Sequence, residues 1–380
     1  KLTYNKVSGQ HLRHLTVQEI RRLGFGYIEQ HAAFLLPWLE HMLTTDIQEA
    51  LFVGVICWAL LLPKEQKKLM EVSGIWHSKY TSSLDFFNTI KSTFTSRLKA
   101  LQNLVSVDLS PFFELEVLIN RGVGNIDWST EKNNRIRPTL CNISAKDTFQ
   151  HSVELFLRAK GLGSAPKKVS WHSYWEKRGQ WAPMGAYHSQ YPEDDKFKSS
   201  SRDLRNKMFS FNAMPEYPIE HFVRRQPCTY AWPSVKYEWG KQRAIYGVDI
   251  TNFILSGFAM IGCEDTISSI FPIGPSASED NVSKTVKEVL KNGVPYCFDF
   301  EDFNSQHSFS SMRAVLEAYW TVFQDSYSPE QNMAMQWLIE SITECYIKEG
   351  DGWYKTAGTL LSGWRLTTFI NTVLNYVYTQ

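Results

Sequence analysis

A mixed α/β (α+β) fold is predicted for this chain on three grounds. Its first third repeats apolar residues at helical spacing, its second half sets strand-length apolar runs between helical ones, and 43% of its 380 residues are hydrophobic. That content supports sizeable cores in two or three domains. Residues 16–121 read as mostly helical. Thr16 stands in capping-box register with Glu19, and Phe34, Leu35, Trp38, Leu39 and Met42 recur at three and four. The apolar stretch Leu51 to Leu62 falls well short of the ~20 residues a membrane helix needs, so it predicts a buried helix and no membrane partner. Residues 1–160 are accordingly expected to form an α-helical N-terminal region.

From Gly161 to Pro218 the chain is rich in Gly, Pro, Ser, Trp and Tyr with little periodicity, which predicts loops laid over a scaffold, a frequent place for binding. Beyond Val294, Tyr296, Cys297 and Phe298 suit a buried strand with Asp299 at its end. Met312, Val315, Leu316, Tyr319 and Phe323 then mark a helix. Ser328-Pro329-Glu330-Gln331 supplies an N-cap, a Pro at the first helical position and a Gln in capping-box register. The helix it opens is expected to run to a stop at Gly350, with Lys348 in its last turn. Finally, Phe369, Val373 and Val377 share one face of a helix that follows the turn Ser362-Gly363.

The net charge of +1 does not advertise a polyanionic partner, but its distribution does. Lys196 to Arg243 holds ten Lys or Arg residues against four Asp or Glu, interleaved with aromatics, as suits a nucleic-acid or nucleotide channel. A solvated basic face is the plainer alternative. The six cysteines are scattered without a Cys-x-x-Cys pair or a His spaced to complete a zinc site, and read as buried free thiols of a reducing compartment.

Three strings carry chemistry. Lys236-Tyr237-Glu238-Trp239-Gly240-Lys241-Gln242-Arg243 clusters cations among residues suited to a β-hairpin. Asp299-Phe300-Glu301-Asp302-Phe303-Asn304-Ser305-Gln306-His307-Ser308 puts a carboxylate at a strand end. Ser362-Gly363-Trp364-Arg365-Leu366-Thr367-Thr368-Phe369-Ile370-Asn371 joins a flexible turn to a helix. In this order they resemble motifs F, A and B of viral RNA-dependent RNA polymerases, in wording closest to the totiviruses, double-stranded RNA viruses of yeasts and protozoa. The motif match covers about Lys236 to Val377; Trp181-Ala182-Pro183-Met184-Gly185-Ala186-Tyr187-His188-Ser189 resembles a further loop of that family, the template-guiding motif G.

The resemblance implies a right-hand polymerase: fingers over 161–293, a palm at 294–325 and 359–380, and a helical finger insertion at 326–358. It assigns Asp299, with the Phe300 carbonyl, to a catalytic Mg²⁺, Mn²⁺ being an alternative, since hard cations take carboxylate and carbonyl oxygens. Lys236, Arg243 and Lys241 would hold the triphosphate, Arg as a fork and Lys as a point charge. Asn304, where many positive-strand RNA polymerases have an Asp, would sense the ribose 2′-OH with Thr367 and Asn371, which lie four apart on one helical face and could hydrogen-bond Asn304. Ser362 and Gly363 would give the turn its freedom. Glu301 and Asp302 are candidates only for supporting roles. Implied partners are template and nascent RNA, nucleoside triphosphates and a capsid protein fused to the polymerase, inside a virion in the host cytoplasm.

The family's Gly-Asp-Asp motif C is not among these residues, and the chain begins at Lys1 without a Met. The expectation is a piece of a longer polymerase that is inactive alone. A non-catalytic RNA-binding or capsid-associated module is the rival reading. A reverse transcriptase is disfavoured by Asn304 together with Thr367 and Asn371.

Overall fold

The computed structural model describes residues 16–45, 47, 49–102, 104–119, 126–238, 241–292, 300 and 302–380. The chain divides into two compact units, Lys1–Asp127 with Val235–Arg243, and Trp128–Ser234 with Ala244–Gln380. The chain is mixed α/β, with one four-stranded sheet among the described residues.

In the first unit the described residues from Val17 to Ile119 are mostly helical, as their periodicity predicts. Thr16 and Glu19 close the capping box at the start of Val17–Leu23. The Leu51 segment lies in the helix Glu49–Leu61, whose Leu51, Val55, Ile56 and Ala59 are fully buried. Trp38 is the centre of this core, stacked on Phe52 (5.7 Å, 19°) and set against Trp76 and Phe86. Among the described residues no helix is long and apolar enough to cross a membrane.

The second unit is built on the helix Ala145–Gly161, which packs along Phe309–Phe323. Phe156 meets Tyr319 edge-on at 5.1 Å and stacks on Phe369 of the helix Thr367–Tyr378 at 6.0 Å. Tyr296, Cys297 and Phe298, the expected strand leading to Asp299, lie outside the described residues.

The sheet has strand order β2-β1-β3-β4, with β1 Thr229–Glu238, β2 Lys241–Val248, β3 Cys345–Glu349 and β4 Gly352–Lys355. β1 runs parallel to β3 from Thr229↔Cys345 to Ala231↔Ile347. That pairing stops two residues short of Pro233, which has no N–H to donate. β3 and β4 form an antiparallel hairpin, Glu349↔Gly352 closing it.

Two expectations are corrected. The helix opened by the Ser328 capping box ends at Ser341, and Lys348 lies on β3 instead of in a last helical turn. Residues 345–349 alternate between buried and half-buried, the period of a strand, and Gly350 (φ 54°) turns the hairpin. The segment 161–218 is not simply loop. It forms short helices at Trp171–Glu176, Arg178–Trp181 and Lys207–Ala213, and its Trp171, Tyr174 and Trp175 are buried in the core. Those aromatics bind the scaffold together and are not offered to a ligand.

Candidate functional site

Asp299 and Glu301 lie outside the described residues. From Phe300 onward the backbone is held by ring packing. Phe300 stacks on Phe303 (4.3 Å, 27°), and Phe303 meets His307 edge-on at 4.4 Å and Tyr378 at 5.9 Å. Asp302 is exposed and left-handed (φ 46°), and its carbonyl accepts from the Ser305 N–H and hydroxyl. This bend starts the short 3-10 turn Phe303–Gln306, which puts Asn304 and His307 against the chain just before the Ser-Gly turn. The Leu360 N–H donates to the Asn304 carbonyl (2.8 Å) and the Thr359 N–H to that of His307 (2.8 Å).

Asn371 Nδ2 donates to Asn304 Oδ1 at 2.8 Å, across 67 residues of sequence. This is the contact expected from the third string to the second. Among the described residues Thr367 is not bonded to Asn304. As the first residue of its helix it has carbonyls of the preceding turn within reach, and its hydroxyl donates to those of Trp364 (2.8 Å) and Leu361 (3.1 Å).

The Ser-Gly turn is fastened to β2. The Ser362 hydroxyl donates to the Ala244 carbonyl at 3.1 Å, and the Tyr246 N–H donates to the Ser362 carbonyl at 2.8 Å. Gly363 has φ 102°, and a Cβ there would sit 3.1 Å from the Tyr246 carbonyl oxygen, so only glycine fits both the conformation and the approach. Trp364 donates through Nε1 to Asn252 Oδ1 (2.7 Å), and Asn252 donates to the Thr229 hydroxyl at the root of β1. Asp249, fully buried, receives the Asn252 and Tyr230 N–H groups. Burial pushes its pKa up to about 6 against those donors. Arg365 pairs with Glu264 at 2.6 and 3.2 Å, fixing the turn from its other side.

His307 is fully buried beside this junction, with Nε2 2.8 Å from Asn371 Oδ1 and Nδ1 3.0 Å from the Tyr378 hydroxyl. Burial pushes its pKa down to about 4, the bond to Asn371 opposing. Neither His307 nor Asn252 stands out in the sequence as a site residue. The available signal was His307's place one residue before the Ser308 N-cap of an apolar helix, where a polar side chain turned inward needs a partner.

The described residues of the cationic string lie on the neighbouring strands β1 and β2. Lys236 lies on β1 and Arg243 on β2, both exposed, while Lys241 opens β2 with its side chain outside what is described. Two other members of the basic segment are not surface charges at all. Arg225 is buried in a forked pair with Asp194 (2.8 and 3.0 Å) and lies over the Tyr191 ring. Lys207 donates to the Ala186 carbonyl at 2.7 Å, its pKa pushed by burial down to about 8. These cations pin the segment resembling motif G, where Tyr187 and Ser189 both bond Asp194 and His188 stacks on Trp232 (4.7 Å, 8°). Burial, with Lys207 and Lys198 nearby, pushes the His188 pKa down to about 4.

Among the described residues no group of three or more His, Cys, Asp or Glu could hold a metal ion, and the five described cysteines are free thiols, Cys57 and Cys141 being only half-buried. The ring stack of Phe300 on Phe303 ties Phe300 to the turn that carries Asn304.

A family profile described as viral RNA-directed RNA-polymerase matches residues 38–380, far more of the chain than the three strings cover. The chain is 35% identical over 380 residues to the probable RNA-directed RNA polymerase of Saccharomyces cerevisiae virus L-A, covering 99% of this chain and 25% of that protein. It is 39% identical over 285 residues to the corresponding protein of Saccharomyces cerevisiae virus L-BC, covering 74% of this chain and 19% of that protein. The probable polymerase of Leishmania RNA virus 1 - 1 is 26% identical over 278 residues. The chain thus spans a quarter or less of the length of the two yeast-virus relatives. On the profile and on these relatives, the chain belongs to the viral RNA-directed RNA polymerase family.

Proposed function

We propose that this chain carries the ribonucleotide site and part of the catalytic apparatus of a polymerase that copies an RNA template to transcribe and replicate a double-stranded RNA genome. The observation that carries the reading is the bond from Asn371 to Asn304, which joins the second and third strings into one polar junction. In this reading residues 161–293 are fingers, 294–325 and 359–380 palm, and 326–358 a finger insertion. The 3′-OH of the growing strand attacks the α-phosphate, forming the new P–O bond as the bond to pyrophosphate breaks.

Lys236 and Arg243, with Lys241, hold the triphosphate while charge builds on the leaving group. The Asn304–Asn371 pair reads the ribose, and the Ser362-Gly363 turn borders the template and nascent base pair. Mg²⁺, with Mn²⁺ as an alternative, would be held by Asp299 and the Phe300 carbonyl and supply Lewis acidity and charge neutralisation when bound. The setting is the interior of a virion in the host cytoplasm, with the polymerase fused to the capsid protein.

The test is template-directed nucleotide incorporation by a full-length polymerase carrying this chain, with and without Asp299→Asn, and RNA binding measured in parallel. Loss of synthesis with binding intact is expected. Joint loss of binding and folding would make Asp299 structural, and a wild type that binds RNA without incorporating nucleotide would point to a non-catalytic RNA-binding module.

A further inference from the structure

We infer that His307 and Tyr378 are positioning residues for ribose selection: together they fix which end of the Asn304 amide faces the incoming nucleotide. The inference rests on the ribose-reading role proposed for Asn304 and Asn371. Four side chains form a chain of hydrogen bonds, from the Tyr378 hydroxyl, which also meets Ser311 and Cys141, to His307 Nδ1 (3.0 Å), from His307 Nε2 to Asn371 Oδ1 (2.8 Å), and from Asn371 Nδ2 to Asn304 Oδ1 (2.8 Å).

A primary amide can be turned end for end with little change of shape, so Asn304 and Asn371 alone do not define a donor direction. A neutral imidazole between Asn371 and Tyr378 couples the direction at one end to that at the other, because one of its nitrogens donates and the other accepts. His307 is fully buried and held neutral by that burial. In the arrangement the structure shows, with Nε2 facing Asn371 Oδ1, Nε2 carries the proton and Nδ1 takes the Tyr378 hydroxyl proton. The Asn371 nitrogen then faces Asn304 Oδ1. Asn304 Nδ2, which has no hydrogen-bond partner among the described residues, is left as the donor at the end of the chain. A 2′-hydroxyl oxygen can accept from it, and a 2′-deoxyribose leaves it unmet. Reversing the imidazole tautomer would reverse every link and present an oxygen instead.

Packing supports the same roles. Phe303 meets both the His307 and Tyr378 rings edge-on, so neither ring is loose in its place. Tyr378 stands seven residues after Asn371 (378 minus 371), two turns along one helix, on the same face.

The experiment measures kcat/KM for a ribonucleotide and its 2′-deoxy counterpart opposite one template base, in a full-length polymerase carrying this chain. Tyr378→Phe, which removes only a hydroxyl, is expected to lower the ribo/deoxy ratio about 3-fold, the scale of one hydrogen bond, and His307→Leu about 10-fold or more. His307→Gln, whose amide again offers one donor and one acceptor, is expected to recover most of the ratio. A ratio unmoved in both Tyr378→Phe and His307→Leu, while Asn304→Ala collapses it, overturns the inference and leaves the ribose reading standing. A ratio unmoved by Asn304→Ala itself overturns the ribose reading and the inference with it. A loss of kcat or of thermal stability at constant ratio means these residues are structural only, and also overturns the inference.

Discussion

The two units keep their shape by different means. In the first, the described core is aliphatic and aromatic almost throughout, and Ser83 and Thr95 are its only buried polar residues among those described. In the second, the core is threaded with polar groups: Asp194 with Arg225, Asp249 with Asn252, Gln331 with the Val169 N–H, His307 with Asn371. Apolar burial is strong but non-directional, so it makes a unit compact without defining positions to a fraction of an ångström. Buried hydrogen bonds cost stability when incomplete and set one geometry when complete. The ribose-reading site proposed at the half-buried Asn304–Asn371 junction is joined to the second kind of core through His307.

The contrast is most exposed to conservative substitutions. Asp194→Asn removes a charge with almost no change of volume and leaves buried Arg225 with only the more distant, exposed Glu193 (3.7 Å) as a counter-charge. Chemical denaturation should show a loss of about 3–5 kcal/mol in the second unit. In the first unit the volume-conserving Leu39→Met should cost less than about 1.5 kcal/mol, although Leu39 is just as buried. Similar costs at the two positions would erase the distinction.

Acid should act chiefly on the second unit. His188 and His307 are held neutral with pKa values near 4, whereas in the unfolded chain they take up a proton near 6.5. The unfolded state binds more protons across that window, so stability falls as pH drops from about 6.5 toward 4, by on the order of 3 kcal/mol for each histidine at the lower end. Asp249 works the other way. Its raised pKa makes its ionised form a burden that is relieved as pH falls through about 6. Urea midpoints at pH 7 and pH 4.5 for His307→Gln and the parent would isolate the histidine part, the variant being less acid-sensitive.

A smaller effect is expected at the turn. Gly363→Ala places a Cβ at φ 102° and 3.1 Å from the Tyr246 carbonyl, and should cost about 1–3 kcal/mol, read as a shift in thermal midpoint. No shift would mean that the turn has another low-energy conformation.

Local rules made much of this legible in the sequence. Capping boxes at Thr16 and Ser328, the hairpin bearing Lys236 and Arg243, and the turn and helix from Ser362 each depend on residues close together in the chain. The Asn371–Asn304 contact was legible only through resemblance, since nothing local brings together residues 67 apart. What escaped was set by tertiary partners. Cys345 to Glu349 is a strand because β1 and β4 flank it, and the end of the preceding helix does not announce them. Arg225 and Lys207 read as members of a basic surface because only the fold supplies Asp194 and the Ala186 carbonyl that bury them. Thr367, placed correctly on its helix, bonds the carbonyls of the turn just before it.

The central claim is that Asn304 and Asn371 act as one ribose-reading unit, and a double-mutant cycle addresses it most directly. Ribo/deoxy discrimination would be measured as a kcat/KM ratio for the parent full-length polymerase, Asn304→Ala, Asn371→Ala and the double variant. The account predicts that each single substitution loses most of the discrimination and that the double loses little more, a coupling of about 0.5–3 kcal/mol. Independent losses that multiply in the double variant, or discrimination unaltered by either single change, would contradict it.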